Sequence, residues 1–433
     1  FALQLSDLEV AKGRGSSGGC IRAVGIANPV TLVLDRVAVA QCEAHFGGAI
    51  HMSLGRLVLR STVLRDNRAS FGGALDLMRS VQVETEKADI RDNYAANDGG
   101  GVRIIGIPLI PTLTEVVWVD DGYSTIRGNV AESDGGGIVV EGTANIDLST
   151  REDSPQTKLL TISGNRAAGV GGGLDFGGIW LRQDWIDRVH RVRFEGNTAF
   201  TGGGVHVSTE LVVSESEIVG NVAEGGNGGG VARSIAFNLD GVLVLERVSV
   251  RNNQALSGAG GGVWTDCDAA LIDDSALSGN RAAGNFGQGI DALGLLDMRH
   301  VTMSGNGVSK APGLRKRYAT NCTGNTLRYA NSLILDRCSA SVASELVSGG
   351  GNQLGPAASA CPATQGVDQR QATTGVFALV SGLYGGDFDV PGFKTFVQPP
   401  PQRDFGLASE CTSTDIRGKA RSSRACDAGA FEE

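Results

Sequence analysis

Asp175 and His206 are the two residues whose types and positions best suit acid–base chemistry. Each follows a glycine run by one apolar residue, in "GGGLD" (171–175) and "GGGVH" (202–206). If these stretches are the same strand of neighbouring repeats, a carboxylate and an imidazole stand one strand apart, close enough to exchange a proton. The competing reading is a solvated face of mixed charge. The same position after a glycine pair holds Arg22, His51, Asp76, Arg103, Val139, Ala232, Trp264 and Asp291. Arg103 and Trp264 are candidate ligand contacts in that set. Trp118, Trp180 and Trp185, three of the four tryptophans, fall in long segments between repeats, and tryptophan faces stack on sugar rings. The alternative for these rings is to bury the long segments against the scaffold.

Other chemistry has little support. No serine or cysteine nucleophile motif is present, and "GGNGGG" at 225–230 follows no Rossmann-type strand with an acidic partner, so it reads as turn glycine. "DDGYS" at 120–124 offers carboxylate oxygens without the spacing of a calcium loop. Cys/His spacing of the zinc kind is lacking, so neither a metal nor a cofactor is expected.

The elements that would position these residues come from a repeat. "LRDN" ending at Asn67 recurs as "IRDN" (Asn93), "IRGN" (Asn129), "ISGN" (Asn165), "FEGN" (Asn197), "IVGN" (Asn221), "VRNN" (Asn253), "LSGN" (Asn280) and "MSGN" (Asn306). The spacings run from 24 to 36 residues, and each asparagine but the last is followed by a glycine-marked strand. Two earlier copies place Gly13 and Cys42 in the asparagine position, giving eleven coils. A period in this range with strands and no helical periodicity is the signature of a solenoid. The expected fold is all-β: a single-stranded right-handed parallel β-helix over 1–310, with 311–433 forming irregular final coils and a cap.

In that fold asparagine supplies a left-handed corner and an amide ladder, while the glycines avoid a Cβ clash between coils. Alternation points Ile50, Leu75, Val102, Ile138, Leu174, Val205, Val231, Val263 and Ile290 inward. The largest spacings, 36, 36 and 32, are consecutive, so extra segments near 104–123, 142–160 and 177–192 are expected to stack on one side.

Composition narrows the class. The chain has 433 residues, 64 of them glycine, with 41% hydrophobic residues, too apolar for a disordered glycine-rich chain. A net charge of -9 argues against nucleic acid or anionic lipid as partner. The basic stretch "KAPGLRKR" at 310–317 reads as a solvated loop. The most apolar stretch, at 104–119, is broken by Pro108, Pro111 and Glu115, so no membrane insertion is expected. No signal peptide stands at Phe1, so the expectation is a leader that has been removed or left out of this sequence. Eight cysteines without metal spacing suggest disulfides and an oxidising compartment. Short separations favour Cys322–Cys338 and Cys411–Cys426, then Cys20–Cys42, leaving Cys267 with Cys361 by elimination.

"GGAI" at 47–50 and "FEGN" at 194–197 resemble the paired motifs of polymorphic-outer-membrane-protein repeats, and the coils resemble the pectin-lyase-like β-helix. Most copies carry Leu, Ile, Val or Met where that family has Phe. The ending "DIRGKARSSRACDAGAFE", with Asp415, Arg417, Gly418, Arg421, Cys426, Asp427, Gly429, Ala430, Phe431 and Glu432, is similar to the terminal segment of secreted bacterial β-helix proteins that precede surface anchors. The resemblance implies an extracellular or cell-surface protein. Two functions follow as expectations: an adhesin-like, non-catalytic protein presenting loops to a glycan or surface protein, or a polysaccharide lyase or glycoside hydrolase. The first is favoured because acidic pairs are scattered and lysines are few.

Overall fold

The computed structural model describes residues 1–106, 114–177, 186–234, 241–267, 269–306, 311–318, 322, 326–342, 345–363, 368–370, 411, 413–415, 420–421 and 426. The chain forms a parallel β-solenoid of about 11 turns. It divides into two compact units. The first is Phe1–Val212 with Val219–Glu224 and Ala236–Leu239; the second is Val213–Ile218, Gly225–Ile235 and Asp240–Glu433.

One turn of the first unit shows the rule. After Asn67 comes the short strand Arg68–Phe71, then Gly72 and Gly73, then the long strand Leu75–Glu86. Gly72 has a φ of +64°, and a Cβ on Gly73 would collide with Gly100 O of the next turn, so both positions require glycine. Ile50, Leu75, Val102, Ile138, Leu174 and Val205 stand in parallel register and are fully buried. The short strands stack in a sheet of their own, with Ala69, Ala95, Ala131 and Ala167 facing in.

The asparagines form a ladder. Asn93 Oδ1 accepts from both the backbone N–H (3.0 Å) and the side-chain amide (2.9 Å) of Asn67. The same pair of bonds recurs at Asn129, Asn165, Asn197 and Asn221. The left-handed residue is not the asparagine, as its type suggested, but the one before it: Asp66, Asp92, Gly128, Gly164, Gly196 and Gly220 have φ near +60°. The preceding residue makes the turn, which leaves the asparagine free to aim its amide inward.

The extra residues of the long coils are not gathered at one place. In the second long coil, Ile138–Gly142 and Ala144–Thr150 are separated by Thr143 alone, and the excess falls afterwards at 151–159. In the first, residues 107–113 precede the strand Thr114–Asp120, so Trp118 lies on a strand rather than in a loop.

The second unit follows the same rule. Val231, Val263, Ile290, Leu314 and Cys338 are in register, and Asn253, Asn280 and Asn306 continue as a ladder. Parallel pairing persists beyond 310, through Leu333↔Gln353 to Gln353↔Gln369. "KAPGLRKR" is not a solvated loop: Leu314–Lys316 is a strand, and the fully buried Lys316 donates to Leu293 O and Arg317 O. Of the terminal signature, Arg421 pairs with Asp274 at 3.0 Å, Asp415 is buried, and Cys426 Sγ lies 3.5 Å from Asn331 Nδ2. Arg417, Gly418, Asp427, Gly429, Ala430, Phe431 and Glu432 lie outside the described residues.

Four disulfides join Cys20–Cys42, Cys267–Cys322, Cys338–Cys361 and Cys411–Cys426. Cys322–Cys338, and with it Cys267–Cys361, is corrected. Cys338 opens the strand beside Leu314, where Cys361 reaches it, whereas Cys322 stands beside Cys267 at a Cα separation of 4.7 Å. Four such bonds indicate an oxidising environment. Among the described residues no helix is long and apolar enough to cross a membrane.

Candidate functional site

The position after each inward residue forms a column in the first unit: Arg22, His51, Asp76, Arg103, Val139, Asp175 and His206 are consecutive partners in register. A solvated face was the simplest expectation for this column. Instead His51, Asp76, Arg103, Val139, Asp175 and His206 are all buried. The cause is the left-handed glycine. At Gly72, Gly99, Gly171 and Gly202 the chain doubles back so closely that a Cβ would meet Arg103, Val139, Asp175 or His206. The preceding short strand then stands over the column, and Phe71 and Phe46 place their rings 4.5 and 5.7 Å from the Arg103 guanidinium.

Within this cover the charges satisfy one another. His51 Nδ1 lies 2.7 Å from Asp76 Oδ2, and Arg103 reaches Asp76 at 3.4 Å and Glu141 at 2.6 Å. His206 Nδ1 lies 2.6 Å from Asp175 Oδ1. Burial pushes the Asp175 carboxyl above its usual range, opposed by the His206 hydrogen bond and charge. Glu141 is raised for the same reason, opposed by Arg103, with Asp98 and Asp175 adding repulsion. Such a set keeps its polar groups in mutual contact under the cover of the short strand.

Glu141 was missed by the sequence reading. It sits two residues beyond Val139 on the same strand face, and Val139 leaves the gap across which Arg103 extends, so strict alternation contained the signal.

The tryptophans divide. Trp118 is fully enclosed, its Nε1–H donating to Thr85 Oγ1 at 2.9 Å, and Thr85 donates in turn to Asp120 at 2.7 Å. No sugar can stack on that ring. Asp120 also accepts from Gly122 N at 2.6 Å, so the "DDGYS" carboxylate is engaged internally. In the second unit Trp264 is 8% exposed, packed on Ala232, Ala259, Phe286 and Leu293. Trp180 and Trp185 lie outside the described residues. Among the described residues no group of three or more His, Cys, Asp or Glu side chains could hold a metal ion.

A more accessible surface of the first unit is the outer face of the second half of each long strand. Thr31, Arg56, Gln82, Val117, Asp147 and Arg188 are aligned in register. Two hollows lie on this face. One of about 340 Å³ is lined by Pro29, Thr31, Arg56, Gln82, Glu115 and Val117 among others. The other, of about 460 Å³, is lined by Val119, Asp147, Ser149, Arg151, Arg188 and His190 among others. Asp147 lines the second hollow, and its Oδ1, itself buried, has no hydrogen-bond partner among the described residues. Compared with known proteins, the chain matches no protein-family model and no curated protein.

Proposed function

We propose that the protein is a secreted, non-catalytic bacterial β-solenoid that binds a glycan along the outer face of its first unit, in the manner of an adhesin. The carrying observation is the pair of hollows of about 340 and 460 Å³ on one set of aligned columns. Coils repeat at about 4.8 Å, close to the rise of a linear sugar chain, so successive turns can offer successive sugar residues donors from Arg56, Gln82, Ser149 and Arg188 and an acceptor from Asp147. Valines 117 and 119 give the apolar ground between them. The disulfides and the resemblance to polymorphic-outer-membrane-protein repeats on a pectin-lyase-like helix support the extracellular setting. The mutual burial of His51, Asp76, Arg103, Asp175 and His206 favours a structural ladder over a catalytic cluster.

Screening the full chain on a glycan array, with Asp147→Ala and Arg188→Ala alongside, tests this reading. Binding that both changes weaken about tenfold is expected, the loss of one or two buried polar contacts. A hit unaffected by both overturns this placement. The second reading, a lyase or hydrolase, is favoured by one observation, the 2.6 Å His206–Asp175 contact with its raised carboxyl. New reducing ends or unsaturated uronates released from a polysaccharide would establish it.

A further inference from the structure

The basic stretch near 315 leaves a feature that the reading above does not use. Of its cations, Lys316 is turned inward and Arg317 lies on the fully buried Asp291. Asp291 also accepts from Gly287 N at 2.9 Å, and Arg315 Nη1 stands at the outer edge of ion-pair distance from it, 4.0 Å away. Arg315 is held by other means. Its Nη1 donates to Asn285 O at 3.1 Å, and its guanidinium stands 5.3 Å from the centre of the Phe286 ring. Arg315 and Ser339 are register partners on adjacent turns, and Arg337 precedes them on the second of those turns. Arg337 is exposed and has no ion-pair partner among the described residues. Between these groups is a groove of about 440 Å³, lined by Asn285, Pro312, Arg315, Arg337, Cys338 and Ser339.

We propose that this groove binds the oxyanion of an acidic sugar. Two guanidinium groups, one fixed by a carbonyl and a ring and the other unpaired, present several N–H donors to one concave space, which suits a carboxylate or a sulfate. Ser339 adds a hydroxyl for a neighbouring sugar hydroxyl. Pro312 and the Cys338–Cys361 disulfide supply a rigid apolar wall for a ring face. In a chain of net charge -9, a cationic hollow of this kind selects for local anionic groups. The volume suits one or two sugar residues. The inference rests on the glycan reading for the carrier of the charge, while the charge itself is dictated by the two arginines.

Isothermal titration of the full chain with four probes tests it: a glucuronate-containing tetrasaccharide, its methyl ester, a sulfated disaccharide and a neutral tetrasaccharide. The acidic tetrasaccharide or the sulfated disaccharide is expected to bind at least tenfold more tightly than the ester or the neutral chain, and more weakly as salt is raised. The stronger of the two acids identifies the oxyanion. Arg337→Ala should lower that affinity at least tenfold and Arg337→Lys less, because lysine keeps the charge but loses the two-pronged geometry. Arg337 is exposed, so an unchanged melting temperature confirms that the fold is intact. Equal binding of ester and acid, no binding by either acid, or acid binding untouched by Arg337→Ala each overturns the inference. Neutral-glycan binding that depends on Asp147 and Arg188, together with no Arg337-dependent binding of either acid, would leave the first-unit reading standing while this one falls.

Discussion

Asn306 donates to the carboxylate of Asp336 twice, from its side-chain amide at 2.6 Å and from its backbone N–H at 3.2 Å. These are the bonds each asparagine makes to the next in the ladder, so Asp336 is a further rung with an oxygen where the others have an amide nitrogen. Burial raises its carboxyl to about 6, against the Asn306 and Gly305 hydrogen bonds that favour the ionised form.

Asp336→Asn should therefore stabilise the protein at neutral pH. Below pH 4 the carboxyl is protonated in both the folded and the unfolded chain. Between 4 and about 6 the unfolded chain ionises first, so the stability supplied by the protonated form is lost as pH rises. A displacement from 3.8 to about 6 corresponds to about 3 kcal/mol at most. Urea unfolding followed from pH 3 to 8 should show the variant matching the parent near pH 3 and exceeding it at pH 7. A parent that keeps equal or greater stability at pH 7 would contradict this account.

Asn129→Ala should be among the most damaging single changes in the first unit. It removes the acceptor for Asn93 N–H and Nδ2 and the donors to Ile90 O and Asn165 Oδ1, all buried. At about 1–3 kcal/mol for each buried group left unpaired, the loss is on the order of 3 kcal/mol or more. Limited proteolysis should cut the variant first within residues 90–165, since solenoid turns depend on their immediate neighbours. An unaltered cleavage pattern and unfolding midpoint would show that the amides add little.

The repeat was legible because its two constraints are local: an asparagine for the ladder and glycines where turns touch. The inward column followed from alternation. What escaped depends on neighbouring turns. Asp336 was hidden because it stands in "LDRC", where only its position relative to Asn306 marks it as a rung. The burial of Asp76 and Arg103 was hidden because the cover comes from Phe46 and Phe71, which face the column only after the left-handed glycine has turned the chain. Trp118 looked like a loop residue because the segment before it lengthens the coil, yet the strand resumes in register at Val116↔Val81. Short separation found Cys20–Cys42 and Cys411–Cys426, but Cys322 pairs across 55 residues with Cys267, which only the stacking of turns brings beside it.

Peptide mapping of the unreduced protein should recover Cys267 linked to Cys322, across 55 residues, and Cys338 linked to Cys361. On the chain-entropy model a loop of that length restrains the unfolded chain by about 4 kcal/mol, so replacing both Cys267 and Cys322 by serine should lower the thermal midpoint more than replacing Cys411 and Cys426, whose loop spans 15 residues. A Cys322–Cys338 peptide would refute the pairing.

His206 and Asp175 offer the sharpest division between scaffold and catalyst. Both are 8% exposed and lie 2.6 Å apart, so removing either deprives a buried polar group of this close hydrogen bond. His206→Ala and Asp175→Ala should each destabilise the fold by about 2–4 kcal/mol, while the double change should cost clearly less than the two added together. Glycan binding on the outer face should persist in all three variants wherever they remain folded, because Asp147 and Arg188 lie on a different part of the coil. If the single changes leave the unfolding midpoint where it was but abolish a detected turnover, the pair is catalytic machinery and the ladder reading fails. Intact stability with intact binding would instead show that the pair contributes to neither, and that the cover over the column closes equally well around alanine.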